Sequence, residues 1–131
     1  AKPTGKRVLV VGAGPGGLSA AYHLARAGHT VEVFDANDHP GGLLWTGVPD
    51  YRLPKEILDA EIDRIVKMGV NIRMNYKVED VLKEKEEGNF DAVYLSIGAQ
   101  LIHKEEIQRD NSVYVTDAFS FFKEVKSDPA I

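Results

Sequence analysis

Hydrophobic residues in the first third of the chain follow two different periods. Residues 7–11 read RVLVV, a continuous apolar run typical of a buried strand, and Val31, Val33 and Phe34 form a second short run. Between these runs, residues 17–27 carry apolar side chains three and four positions apart, which is helical spacing. The pattern therefore predicts a strand, a helix and a second strand in succession.

The rest of the chain continues this alternation. Pro54 suits the first position of a helix that Gly69 can end, and Thr116 suits the N-cap of a last helix. The further elements predicted are helices at 54–69, 78–87 and 116–125, strands at 70–74 and 113–115, and a buried strand at 92–97. Strands that alternate with helices through right-handed crossovers predict an α/β fold, a Rossmann-like, mostly parallel sheet with helices on both faces.

The segment at residues 36–53 has no periodicity and contains Pro40-Gly41-Gly42 and Gly47-Val48-Pro49. It is long for a simple connection between elements. Because binding residues concentrate on long loops, we expect this segment to contribute to function.

A glycine turn joins the first predicted strand to the first predicted helix. Gly12 permits a tight turn, Gly14 lets the backbone approach a pyrophosphate, and Gly17 lets the helix pack close to the strand. The helix N-terminus then faces the phosphates, so the anion needs no Lys or Arg. This context favours a dinucleotide site over a glycine-rich turn without a ligand.

Asp35 ends the second predicted strand, where an acidic side chain can accept hydrogen bonds from both hydroxyls of an adenosine ribose. A carboxylate there would repel a 2′-phosphate, which disfavours NADP at this site and leaves both FAD and NAD open. The alternative is an aspartate that merely starts a turn, as is common after strands.

Composition narrows the function classes. The net charge of −4 provides no basic surface for nucleic acid, and no apolar run is long enough to span a membrane, so we expect a cytoplasmic protein. The absence of cysteine excludes disulfides and thiolate iron–sulfur ligation within these residues. His23, His29, His39 and His103 lack metal-ligand spacing, and no residue has the pattern of a catalytic acid, base or nucleophile.

The segment from Pro40 to Pro54, PGGLLWTGVPDYRLP, gives a more specific indication. Following a GAGPGG turn, it resembles the FAD domain of the group that contains the glutamate synthase small subunit, dihydropyrimidine dehydrogenase and NADH-dependent ferredoxin:NADP oxidoreductase. These are flavoproteins with two dinucleotide-binding domains. The resemblance covers about residues 5–99 and favours FAD over NAD.

The resemblance also implies particular contacts. The pyrophosphate of FAD would meet Gly12, Gly14, Pro15, Gly16 and Gly17. Asp35, where such proteins usually have Glu, would hold the adenosine ribose, and the backbone of Val78 would contact adenine. Gly42 and Leu43 would approach the flavin side, Arg52 would be a further cofactor contact, and Gly98 would lie against the cofactor.

In that family, electrons pass between FAD and NAD(P)H bound by a second GxGxxG domain, and often onward to iron–sulfur clusters. The present chain contains neither a second glycine fingerprint nor a cysteine. We therefore expect residues 1–131 to be a single FAD-binding Rossmann-type domain, a fragment of a larger oxidoreductase without its NAD(P)-binding and iron–sulfur domains. Its partners would be the remaining domains or subunits, and alone it would be inactive.

Two other functions remain open at this point. An NAD-dependent dehydrogenase domain would share the glycine turn but would not need the Gly41-Gly42-Leu43-Leu44 loop. A non-catalytic, nucleotide-stabilised interaction module would dock onto partner subunits through the Phe-rich helix near the C-terminus.

Overall fold

The computed structural model describes residues 1–99 and 117–128. Within them, strands and helices alternate as the hydrophobic pattern predicts. The strands are β1 (Arg7–Val11), β2 (Thr30–Phe34), β3 (Asn71–Arg73) and β4 (Ala92–Leu95), and the helices are α1 (Pro15–Arg26), α2 (Leu43–Thr46), α3 (Lys55–Lys67), α4 (Val81–Glu87) and α5 (Ala118–Ser127).

The four strands form one sheet in the order β3-β2-β1-β4, and every neighbouring pair is parallel. At the centre, Val10 of β1 lies opposite Val33 of β2 and Tyr94 of β4. The predicted Rossmann-like parallel sheet is thereby confirmed. Because β2 and β4 flank β1 on opposite sides, the chain reverses its direction of travel across the sheet at β1, and the carboxyl end of β1 is a topological switch point.

Helices α1 and α3 cover one face of the sheet. Val10, Val31 and Val33 point toward these helices and pack with Ala21 of α1, while Ile65 of α3 contacts the same cluster. Val10 and Val33 are completely buried. Burial of several β-branched side chains between sheet and helices supplies the main hydrophobic stabilisation of this layer.

The opposite face is covered by α4 and the segments on either side of it. Phe90 follows α4 and packs against Leu9, Val11 and Phe34, and Tyr76 precedes α4 and contacts the same cluster. The predicted placement of helices on both faces therefore matches the structure.

The prediction that residues 92–97 form a buried strand is wrong in two respects. The strand ends at Leu95, and its side chains are largely exposed, with Tyr94 at 47% and Leu95 at 58%. The reason is position, since β4 is the edge strand and has a neighbour on one side only among the described residues. An apolar run in the sequence predicts a strand but does not show whether other elements bury its side chains.

Several element boundaries also differ from prediction. Pro54 was predicted to be the first residue of α3, but it precedes the helix as its N-cap because its ψ of 139° is extended. Helix α4 begins at residue 81 and not at 78, after Asp80, whose side chain accepts a hydrogen bond from the Lys83 N–H. The last helix is capped by Asp117, not by Thr116. The strand predicted at 113–115 lies outside the described residues. No helix among the described residues has the length and apolar character needed to cross a membrane.

Candidate functional site

The glycine turn lies at the switch point of the sheet. The Gly12 N–H donates to the Phe34 carbonyl at the end of β2 (2.8 Å), and the Ser96 N–H donates to the Val11 carbonyl at the end of β1 (2.8 Å). These bonds hold the turn between the carboxyl ends of three adjacent strands. Ligands of open parallel sheets bind in this crevice.

Two of the glycines are required by the packing of the chain itself. A Cβ on Gly17 would lie 1.7 Å from the Gly12 carbonyl oxygen, and a Cβ on Gly12, whose φ is +108°, would lie 2.2 Å from the Ser96 carbonyl oxygen. The Ser96 hydroxyl lies within hydrogen-bonding distance of the carbonyls of Val11 (3.0 Å) and Gly12 (3.1 Å). Strand β1, helix α1 and the segment after β4 therefore meet with backbone in contact with backbone.

Gly14 and Gly16 have a different environment. A Cβ on either residue would meet its nearest atom at 3.8 Å, so the chain itself leaves room there. Gly14 is the N-cap of α1, no side chain caps the helix, and its first turn contains no acidic residue. In the part of the chain that the structure describes, neither a capping side chain nor an acidic residue of the first turn occupies the first N–H groups of the helix, and this arrangement can bind phosphate.

A cavity of about 1020 Å³ opens from this turn. Its volume is at the upper end of the range of roughly 300–1000 Å³ for small-molecule sites, which suits an extended ligand such as a dinucleotide. Nine of the residues implied by the resemblance line this cavity, namely Gly12, Gly14, Pro15, Gly16, Asp35, Gly42, Leu43, Val78 and Gly98.

The two other implied residues, Gly17 and Arg52, do not line the cavity. Gly17 is buried behind the turn, where it serves the close packing described above. Arg52 is exposed, in the turn between α2 and α3, and its backbone N–H donates to the Pro49 carbonyl (2.9 Å). The structure does not bring Arg52 to the other implied residues, and its role as a cofactor contact stays a prediction.

The loop before α2 packs directly on the glycine turn. The Gly41 N–H donates to the Ala13 carbonyl (2.7 Å), and Gly42 has a φ of +56°. A Cβ on Gly42 would lie 2.8 Å from the Gly14 Cα. Gly42 is thus required by both its backbone conformation and its close approach, and the loop and the turn form one continuous wall of the cavity.

The carboxylate of Asp35 is held by three N–H donors of the chain. Its Oδ2 accepts a hydrogen bond from the Ala13 N–H (2.7 Å), and its Oδ1 accepts from the backbone N–H (2.8 Å) and the side-chain amide (2.9 Å) of Asn37. The bond to the backbone two residues on makes Asp35 the start of an Asx turn. Asp35 therefore both starts a turn and lines the cavity.

At the same end of the cavity, the Tyr76 ring lies 5.0 Å from the ring of Phe34 in an edge-to-face arrangement. The Tyr76 hydroxyl donates to Glu84 of α4 (2.7 Å), and this hydrogen bond raises the pKa of Tyr76 above its ordinary value. Lys77 and Val78, which follow Tyr76, also line the cavity. An aromatic ring fixed beside exposed backbone is suited to contact with a flat base.

The opposite end contains residues outside the set of contacts that the resemblance implies. The rings of His39 and Trp45 are stacked with centroids 3.4 Å apart, and both line the cavity. Helix α5 closes this end with Lys126, whose side chain is only 6% exposed and whose Nζ lies 3.0 Å from Asp50 Oδ1. No local pattern marks Lys126, because its partners are distant in the sequence.

Comparison with known proteins agrees with this geometry. Residues 10–84 match the model of the family described as NAD(P)-binding Rossmann-like domain. The small chain of glutamate synthase [NADPH] from Mycobacterium tuberculosis is 46% identical over 99 residues, which cover 75% of this chain and 20% of that protein. Subunit PreT of the NAD-dependent dihydropyrimidine dehydrogenase from Escherichia coli is 44% identical over 93 residues, which cover 70% of this chain and 23% of that protein.

Among solved structures, FprA of Mycobacterium tuberculosis in complex with NADPH superposes with a TM-score of 0.74 at 21% identity, over 93% of this chain and 28% of that one. This likeness shows a shared fold. The two sequence matches confirm the resemblance first seen in residues 40–54. The chain spans 20% and 23% of the length of these curated relatives.

Proposed function

We propose that this chain, which belongs to the family of NAD(P)-binding Rossmann-like domains, binds FAD as its dinucleotide. It would then be the FAD-binding portion of a pyridine-nucleotide-dependent flavoprotein oxidoreductase. The relatives named above are oxidoreductases or subunits of them. In this proposal residues 1–131 form a single FAD-binding domain within such an enzyme.

One observation carries the proposal of a dinucleotide ligand, and the choice of FAD rests on the resemblance in residues 40–54. A single cavity joins the ribose-type acid Asp35, the glycine turn, and the loop at Gly42 and Leu43. A mononucleotide would need only the first two of these. The loop at Gly42 and Leu43 extends the cavity wall beyond the glycine turn, where the second half of a dinucleotide would lie.

The glycines that face the cavity suit the pyrophosphate of FAD. Gly14 and Gly16 leave open the space that a Cβ would fill, and among the described residues no side chain caps the first N–H groups of α1. Two phosphates carry the negative charge that such a helix end stabilises. The turn therefore suits a pyrophosphate.

In the proposed complex the residues of this chain bind and orient the cofactor. The turn at Gly12–Gly17 would hold the pyrophosphate, Asp35 the adenosine ribose, and the backbone of Val78 the adenine edge. Gly42 and Leu43 would support the flavin side. FAD supplies the hydride and electron transfer when bound, and the protein supplies position, electrostatics and exclusion of water.

The remaining parts of the proposed reaction belong to other domains or subunits. NAD(P)H would bind at a second nucleotide site, and iron–sulfur clusters or another acceptor would take the electrons onward. Those domains or subunits are the proposed partners of this chain.

Titration of the purified chain with FAD, NAD and NADP tests the proposal. We expect FAD to bind and to give a visible flavin absorption band that survives gel filtration. At a concentration about 100 times the Kd, the bound ligand would add about 2.7 kcal/mol to the free energy of unfolding. A chain that shows neither FAD binding nor stabilisation by FAD contradicts the proposal.

A matched pair of variants refines this test. Gly42→Ala places a side chain at a φ of +56° and 2.8 Å from the glycine turn, whereas Gly69→Ala has a comparably unfavourable φ of +96° but no neighbour within 4 Å. We expect Gly42→Ala to weaken FAD binding and Gly69→Ala to leave it unchanged. Equal binding by the two variants would remove the loop at Gly42 from the site.

The second candidate ligand is NAD. The family description covers NAD(P), and the turn and Asp35 would suit the ADP half that NAD shares with FAD. Binding of NAD with no uptake of FAD would favour this alternative. Retention of neither ligand, together with assembly onto a partner subunit, would favour an interaction module.

A further inference from the structure

We propose that Asn37 is a specificity-determining residue that accepts a hydrogen bond from one hydroxyl of the adenosine ribose, while Asp35 accepts from the other. This inference rests on the proposed function, because it requires an adenosine dinucleotide in the cavity. It changes the original expectation that Asp35 alone accepts from both hydroxyls.

Asp35 has a limited capacity to accept hydrogen bonds. An ionised carboxylate offers about four lone-pair positions and no donor. The Ala13 N–H uses one position on Oδ2, and the backbone and side-chain N–H groups of Asn37 use two on Oδ1. One position is left, whereas a ribose presents two adjacent hydroxyl donors. A second acceptor is needed beside Asp35.

The contact with Asp35 fixes the orientation of the Asn37 amide. Because the carboxylate only accepts, the group 2.9 Å from Asp35 Oδ1 must be the amide nitrogen Nδ2. The amide oxygen Oδ1 is therefore at the other branch of the side chain. In residues 1–99 and 117–128 no hydrogen bond to this oxygen is found, although Asn37 lines the cavity.

Asn37 is held in place by hydrogen bonds of both its backbone and its side chain. The Asn37 N–H donates to Asp35, and the Asn37 carbonyl accepts from the Asn75 N–H (2.7 Å). Backbone and side chain are thus both fastened, which holds the amide oxygen on a residue that lines the cavity together with Asp35. Asp35 and Asn37 together offer one acceptor for each of the two hydroxyls, and a fixed acceptor loses little conformational entropy when the ligand binds.

Asp38 is the neighbouring alternative and provides the control. It also lines the cavity, but no contact within the described part of the chain ties it to Asp35. Nothing in the structure therefore fixes its carboxylate next to the first acceptor.

The test uses the intact chain with ADP, 2′-deoxy-ADP and 3′-deoxy-ADP, with Kd measured by calorimetry. In the wild-type protein, removal of the hydroxyl bound by Asn37 should weaken binding by about 2- to 12-fold, the usual range for one neutral hydrogen bond, and removal of the hydroxyl bound by the Asp35 carboxylate by about 12- to 150-fold, the range for a charged acceptor. Asn37→Ala should weaken ADP binding by the smaller of these factors and abolish the penalty for one deoxy analogue only. Asp38→Ala should leave both penalties in place.

Other results overturn the inference. If Asn37→Ala keeps both penalties, the residue does not contact the ribose, and if it loses both, the residue acts only by positioning Asp35. Loss of one penalty in Asp38→Ala would assign the second acceptor to Asp38. If the wild-type protein binds neither FAD nor ADP, the proposed function fails as well, whereas ADP binding with unchanged penalties in Asn37→Ala removes only this inference.

Discussion

Gly16 and Gly17 are neighbours in the first turn of α1 and allow the packing of the turn to be separated from its contact with the ligand. A Cβ on Gly17 would lie 1.7 Å from the Gly12 carbonyl oxygen and 2.7 Å from the Ser96 hydroxyl. A Cβ on Gly16 would meet Ser96 Cβ at 3.8 Å, an ordinary van der Waals contact. The same substitution, Gly→Ala, therefore has opposite consequences at adjacent positions.

The magnitudes follow from these distances. For Gly17→Ala the clash is with a backbone oxygen at half of an ordinary contact distance, so the turn or the helix must move. Overpacking of this kind costs about 1–3 kcal/mol or more, of which the better helix propensity of Ala offsets at most about 1 kcal/mol. We expect Gly17→Ala to lose about 2 kcal/mol of unfolding free energy and Gly16→Ala to gain about 0.5 kcal/mol.

Urea unfolding followed by far-UV circular dichroism measures both values. A loss of about 2 kcal/mol is a large fraction of the 5–15 kcal/mol typical of a whole domain and is readily measured. Equal stability of the two variants would refute the packing argument. FAD titration of Gly16→Ala adds the ligand side, because its methyl group would lie at the proposed pyrophosphate position and should weaken binding by about tenfold or more without loss of stability.

Three further outcomes are expected. The Asp91 carboxylate accepts a hydrogen bond from the Arg7 backbone N–H (2.9 Å), which lowers the pKa of Asp91. The hydrogen bond therefore stabilises the folded state at pH values above the unfolded-state pKa, and this contribution is lost as the pH falls through the lower folded-state pKa. Asp91→Asn should therefore flatten the acid dependence of the unfolding free energy below about pH 4, and an unchanged slope would contradict the assignment. Lys126→Met removes an ammonium 5.3 Å from the ring centroid of Trp45, the single tryptophan, so its emission should shift, and an identical spectrum would argue against the docking of α5. Phe90→Ala should cost about 3–5 kcal/mol in urea unfolding, since Phe90 is only 6% exposed, and a cost below about 1 kcal/mol would contradict its place in the core.

The sequence was sufficient for the elements around the glycine turn. Residues 7–11 form β1 as predicted, and the apolar residues before Gly28 form α1, because strand and helix periods and the glycine positions all indicate the same unit. The burial of β4 could not be predicted in this way. An apolar run looks the same in a central strand and in an edge strand, and only the strand order places β4 at the edge.

The two ends of the cavity also differ in whether their residues can be predicted from the sequence. The position of Asp35 after the glycine turn predicts ribose binding, and Gly42 belongs to the segment that resembles the flavoprotein group; the structure brings both residues to one cavity. Lys126 reaches that cavity only because α5 packs near α2, a contact between elements far apart in the chain. Long-range packing of this kind leaves no periodic or motif signal in the sequence.

The two roles predicted for Asp35, starting a turn and binding the ribose, are compatible with each other. The turn-forming role and the ribose-binding role were separate hypotheses, but the carboxylate that starts the Asx turn also accepts from the Ala13 N–H in the glycine turn. The residue thus joins the end of β2 to the turn after β1, so that the cavity wall is held before any ligand arrives. Such preorganisation reduces the entropy lost on binding. It also consumes acceptor positions, and this is the physical reason to look for a second ribose acceptor at Asn37.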